Sequence, residues 1–319
     1  MAVLSIKNKV ISRSMLVGNS PYIPSTLLTI SANQTNAATS VDGGDTWVLR
    51  TMPAAPFWFP LIYANNQFLA IGNASTIAAT SPDGITWTQR AMPTASAWSQ
   101  VAYGNGIYAA NGQNDPSVIS RSSNGISWTN GTAGSGAYGG IAFGNNIFVI
   151  AETTANAGSA VRYSSDAITW TSAGTLGAST GWGRVYYNAN GGGFIVISNV
   201  SSNRVSQSST GTSGFTIRTL PSSTNWGGAL AYGNGVWSYL AQDGLTAASS
   251  TDGITWTSRT ATPVSTGWTS MFFSSALGKF IAVGSGSANQ VAYSSTGTGS
   301  WTIKSIPTYG EWYSISGTA

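Results

Sequence analysis

The sequence predicts an all-β protein, a single seven-bladed β-propeller of four-stranded blades, and three observations carry that prediction. A short motif recurs seven times in 319 residues, with successive aromatic ends 40 to 45 residues apart. That period is the length of one four-stranded blade in a closed radial repeat. The stretches between motifs divide into strand-length pieces joined by Asn-Gly and Asn-Asn turns, and helical periodicity is essentially absent. The two ends of the chain hold complementary parts of one repeat, so a last strand is available to complete a first blade.

The motif is clearest at Ser81-Pro82-Asp83-Gly84-Ile85-Thr86-Trp87. Its other copies end at Trp47, Trp128, Trp170, Phe215, Trp256 and Trp301. Within each copy a short polar side chain can accept backbone N–H groups, and Gly permits the positive φ of a tight turn. Asp42, Asp83, Asn124, Asp166 and Asp252 are therefore expected to build structural turns rather than to bind a ligand.

One unit shows the order of elements. Trp98 to Tyr103 is a first strand, and Gly104-Asn105-Gly106 favours a type I′ hairpin turn. Ile107 to Ala110 is the second strand, Val118 to Arg121 the third, and Ser127 starts the fourth after the motif turn. Second strands elsewhere, such as Phe68 to Ile71 and Phe194 to Ile197, are apolar on both faces. That pattern suits sheets stacked between neighbours. After the last motif, Trp312 to Ser316 is a first strand with no partner following it. Before the first motif, Thr26 to Ile30 and Ala37 to Thr39 are second and third strands with no first. The C-terminal strand should complete the N-terminal blade and remove the open edges. The propeller then occupies residues 25–319, preceded by an arm, 1–24.

Composition narrows the function. Charged residues make up 7% of the chain, against roughly 25% in ordinary soluble domains. Ser, Thr, Asn, Gln and Gly must cover the surface, as in rigid extracellular or virion proteins. With no cysteine and no histidine, the usual ligands for zinc, copper or iron are missing, as are His-based triads and Cys nucleophiles. The expectation is no metal, no cofactor and no enzymatic activity. Lys7, Lys9 and Arg13 give the arm a local charge of +3, while the rest holds ten basic and nine acidic residues. The body lacks the basic cluster of a nucleic-acid binder. No run of 18 apolar residues exists, so no membrane insertion is expected, and the start does not read as a secretion signal.

The motifs resemble the Asp-box repeat, Ser-x-Asp-x-Gly-x-Thr-Trp, of bacterial neuraminidases, across residues 40 to 301. Most copies here are one residue shorter, and Asn124, Thr210 and Thr296 stand where Asp is usual. The resemblance implies a propeller in which the boxes are β-turns between third and fourth strands, remote from the active site. It also implies an arginine triad, a tyrosine nucleophile with a glutamate partner, and an acid/base aspartate. This sequence departs from that set. Outside the boxes and Asp45 its acids are Asp115, Glu152, Asp243 and Glu311. Arg50, Arg90, Arg218, Arg259 and Lys304 each sit three residues after a motif aromatic and read as decoration of outer strands. Carboxylate-pair hydrolysis needs two acids at a set separation, and nothing in the sequence pairs these.

A second aromatic series follows the motif aromatics by 10 to 12 residues: Trp58, Trp98, Tyr138, Trp182, Trp226, Trp268 and Trp312. These lie at or just before first strands, the innermost of each blade. They are read either as packing between blades or as a ring of stacking platforms for sugars. Arg184, two residues beyond Trp182, is the charge at its position in the series and is expected to line the channel. The leading expectation is a structural or binding module of a phage particle, a fibre, tail or head-surface protein, recognising host-surface glycans. The alternatives are a free lectin, secreted or cytoplasmic, and a degenerate glycoside hydrolase. The arm either caps the ring or docks it onto other virion proteins through Lys7, Lys9, Arg13 and its short apolar segments.

Overall fold

A computed structural model describes residues 26–113, 118–153, 159–177, 181–198, 200–263, 267–285, 289–307 and 310–318. The arm, with Lys7, Lys9 and Arg13, lies outside the described residues. The described chain forms seven antiparallel sheets of four strands; six run from innermost to outermost in chain order, and in the first the innermost strand is the last of the chain. The innermost strands, blade by blade, are Trp312–Gly317, Phe57–Ala64, Trp98–Gly104, Tyr138–Gly144, Trp182–Asn188, Ala229–Gly233 and Trp268–Ser274. The fold is a seven-bladed β-propeller.

The C-terminal strand completes the first blade, as the ends of the sequence predict. Leu27 pairs with Gly317 and Ile30 with Ser314. The closing strand is also tied sideways: Ser316 Oγ accepts from Tyr63 N of the second blade at 3.0 Å, and Ser270 Oγ of the seventh accepts from Ile315 N at 3.3 Å. Thus one strand serves three sheets' worth of contacts, and both edges of the joint are satisfied.

The core consists of seven separate clusters, one at each blade–blade boundary. The motif aromatic of each blade packs against the preceding blade: Trp47 lies with Ile281 and Val291, and Trp256 lies with Ile195 and Val205. Apolar surface is removed from water between sheets rather than within one centre, so each blade depends on both neighbours.

The motif turns have the geometry their residue types call for. Asp83 Oδ1 accepts from Ser81 Oγ at 3.0 Å, Ile85 N at 2.8 Å and Thr86 N at 2.9 Å. Asp166 and Asp252 repeat this pattern, and the Asn124 amide oxygen does so at 2.9 to 3.0 Å. The fourth strand of the third blade starts at Thr129, two residues later than the sequence suggests. The reason is that the Trp128 indole folds back to donate to Gly125 O at 3.2 Å and belongs to the turn. Asp42, in a copy one residue longer, accepts instead from Thr46 N, at 2.9 Å. The opposing hairpins are laced to these turns. Asn105, held at φ +50°, donates through Nδ2 to Ser165 O of the next blade at 3.1 Å, and Asn234 donates to Ser295 O at 2.8 Å.

A candidate ligand site at the mouth of the channel

The second aromatic series is buried throughout: Trp58, Trp98, Trp182, Trp268 and Trp312 are 0% exposed, and Tyr138 and Trp226 are 1%. Each sits in a boundary cluster beside the preceding blade. Their polar ends are mostly bonded locally, as Trp98 Nε1 is to Ser75 O at 3.1 Å and Trp268 Nε1 to Thr262 Oγ1 at 3.0 Å. The stacking role is corrected by this burial. A sugar cannot reach a ring face that packed chain already covers, so these side chains wedge the blades apart at the set angle.

Two positions beyond each aromatic stand Pro60, Gln100, Gly140, Arg184, Gly228, Ser270 and Ser314. All but Gly140 line one small cavity in the channel. A strand alternates its side chains, so residues two apart share a face, but the β-bulges at the tops of these strands shift which face that is. Arg184 therefore does line the channel. Its Nη1 donates to Thr269 O at 2.9 Å and to Gly228 O at 3.3 Å. Its guanidinium carbon lies 4.6 Å from the ring centre of Phe59, a cation–π contact across the channel. From the other side Gln100 enters, its Oε1 accepting from Val185 N at 2.9 Å and Ile141 N at 3.2 Å. Gly140 is what lets it do so, because a Cβ there would lie 2.2 Å from that oxygen.

The sixth blade is built differently at this end. Its innermost strand begins only at Ala229, three residues after Trp226. Gly227 and Gly228, at φ +45° and +114°, form the approach, and a Cβ on Gly228 would meet Arg184 Nη1 at 2.3 Å. The Gly228 carbonyl also accepts from Tyr186 Oη at 2.6 Å. Burial pushes the Tyr186 phenol up, against the opposing charge of Arg184, and pushes the Tyr239 phenol well up. Both phenols are thus protonated at neutral pH and act as neutral groups behind the arginine.

Above this plug a cavity of about 240 Å³ opens on the face of the blade-to-blade connections, opposite the motif turns. Phe59, Ser99, Gln113, Arg184, Asn225 and Gln242 supply its functional side chains. Asn225 Nδ2 donates to Gln242 Oε1 at 2.8 Å, which orients the Gln242 amide. Sequence reasoning finds Arg184 through its place in the series. It misses Gln113 and Gln242, which follow the ends of second strands and carry no pattern of their own. The boxes are not part of this site. Among the described residues no group of three or more potential ligand side chains could hold a metal ion.

The ring and its plugged channel define a class, the seven-bladed β-propellers, here with a cavity at the channel mouth. No family model matches the sequence, and no curated protein matches it. Solved structures do resemble it. A streptogramin B lyase superposes with a TM-score of 0.69 at 12% identity, over 92% of this chain and 91% of that one. A catalytically inactive histidine-to-alanine variant of virginiamycin B lyase from Staphylococcus aureus, with quinupristin, gives 0.66 at 10%, over 88% of each chain. YCF48 bound to a D1 peptide gives 0.64 at 15%, over 89% of each. At such identities the likeness shows the fold alone. It nevertheless corrects the expectation that the chain is not an enzyme: lyases share this ring, so the architecture hosts catalysis as well as binding.

Proposed function

We propose that this ring recognises carbohydrate in the cavity at the channel mouth, and that it is displayed on a phage particle. One observation carries the first part. The cavity is lined by side-chain amides and hydroxyls, Gln113, Asn225, Gln242 and Ser99, beside the Phe59 ring on which Arg184 rests. Amides both donate and accept, as sugar hydroxyls require. Gln113 and the Gln242 nitrogen have no side-chain partner among the described residues, so their hydrogen-bonding capacity is available.

The particle setting is supported by composition: a charge-poor surface of small polar residues, with the local charge excess confined to the arm. The motifs are read as divergent Asp-boxes in a turn-forming role. Partner virion proteins engage residues 1–24, with Lys7, Lys9 and Arg13 adding salt-sensitive attraction. A glycan array with the purified protein and with a Gln113→Ala/Gln242→Ala double variant tests recognition. Binding should weaken by about tenfold or more, the loss of one or two good hydrogen bonds, while the protein stays folded, its melting temperature lowered only by the lost Asn225–Gln242 bond. Retained binding would move the site elsewhere, and silence across the array would refute recognition. For the arm, a chain starting near Ser25 should fold but fail to enter its particle, and equal incorporation would sink that role.

A further inference from the structure

We infer that the ligand of this cavity carries a carboxylate, held by the free edge of Arg184. The inference rests on the proposed carbohydrate recognition and narrows it to acidic sugars of the uronate type.

The guanidinium is fixed before any ligand arrives. Its Nη1 is engaged by the carbonyls of Thr269 and Gly228, and its plane is seated by Phe59. The hydrogen bonds found for it among the described residues are those of Nη1, with the Tyr186 hydroxyl beside the group, and its Nε and Nη2 are not among the buried atoms left without a partner. A guanidinium immobilised with that edge open presents two parallel donors, the fork that a carboxylate fills with both oxygens.

The charge balance points the same way. The ion pair found among the described residues, Lys304 with Asp45, lies on the outer rim. No carboxylate faces Arg184 among the described residues lining either channel cavity. A cation kept in a half-closed site without a counter-ion is costly, and a ligand anion removes that cost. The ring does not need the charge for its construction, because the equivalent positions of other blades hold Pro60, Gln100, Gly140, Gly228, Ser270 and Ser314. The outer arginines differ in this respect. Arg50, Arg90 and Arg259 each donate Nε to a hydroxyl on the neighbouring strand, a structural use of the group. With a single cation among the described lining residues, the site matches a monoanion and falls short of what a phosphate dianion demands. The amides of Gln113 and Gln242 then face the sugar hydroxyls.

The test uses the intact protein and matched ligand pairs. Glucuronate- and galacturonate-containing oligosaccharides, and the same oligosaccharides with their carboxyl groups reduced to alcohols, are titrated calorimetrically at low and high salt. The acidic member should bind about tenfold or more tightly, consistent with a charge-assisted bidentate contact, and the preference should shrink as salt rises. Arg184→Gln should abolish the preference, and Arg184→Lys, which keeps the charge without the fork, should retain only part of it. Equal binding of acidic and reduced ligands would overturn the carboxylate assignment and leave carbohydrate recognition standing. Failure of both members, with neutral glycans bound on the array, would also overturn it. Failure of every glycan would bring down both. Because Arg184 also ties Thr269 and Gly228, the comparison of paired ligands on the unaltered protein decides the matter even if an Arg184 variant folds poorly.

Discussion

Ending the chain before Trp312 should open the ring. The truncation removes an innermost strand whose Trp312 is 0% and Ile315 5% exposed. By analogy with large-to-small core changes, losing a buried Trp costs about 3–5 kcal/mol and a buried Ile about 2–5 kcal/mol. The strand also pairs with all five positions of Leu27–Ser31, and each main-chain hydrogen bond lost adds roughly 0.5–1.5 kcal/mol. Against a typical stability of about 5–15 kcal/mol for a whole domain, the first blade cannot survive this loss. Its exposed strand edge then invites association. Calorimetry with size-exclusion chromatography reads both effects. Trp98→Ala calibrates the packing part, because Trp98 is equally buried in a blade that is covalently continuous. That variant should stay folded with a melting temperature lowered by on the order of 10 °C. A truncated chain that is monomeric and melts like the full one would refute closure by this strand.

Other outcomes follow from the turns and the wedge residues. Asp252→Ala removes the acceptor of two backbone N–H bonds and should cost roughly 0.5–2 kcal/mol by analogy with helix caps, measured by denaturant titration, with glycan affinity unchanged. Selective loss of affinity would make the boxes recognition elements. Burial alone would raise the Asp42 carboxyl, but hydrogen bonds from Thr46, Ser40 and the backbone outweigh it and hold the group at about 2, below its ordinary 3.8. Asp83, Asp166, Asp243 and Asp252 are lowered as well. Depressed carboxylates bind protons more readily in the unfolded chain, so their stabilisation is complete above about pH 4 and is lost as pH falls toward 2. A melting temperature that stays flat over that acidic range would contradict this. Among the described residues Trp182 Nε1 is buried without a partner, whereas Trp268 Nε1 donates to Thr262. Trp268→Phe should therefore destabilise more than Trp182→Phe, by about 1 kcal/mol, in parallel melts.

The sequence by itself determined the architecture. Blade count, strand order and ring closure were legible because the repeats spell their own turns, Asn-Gly or Asn-Asn at most hairpins and a Ser-led polar turn before each motif aromatic, in local residue chemistry. Arg184 was legible as a channel residue because it occupies a fixed place after a periodic aromatic. The fate of the aromatics was not legible, since a Trp that wedges between blades and one that faces a ligand have the same spacing. Their burial depends on how close the neighbouring blade comes. Nor could spacing reveal the cavity at the channel mouth. Gln113 and Gln242 lie 129 positions apart, and only the closing of the ring brings them around one arginine. That arginine has room there because Gly227 and Gly228 delay the start of the sixth innermost strand, and the ring brings carbonyls, and no described carboxylate, to its side.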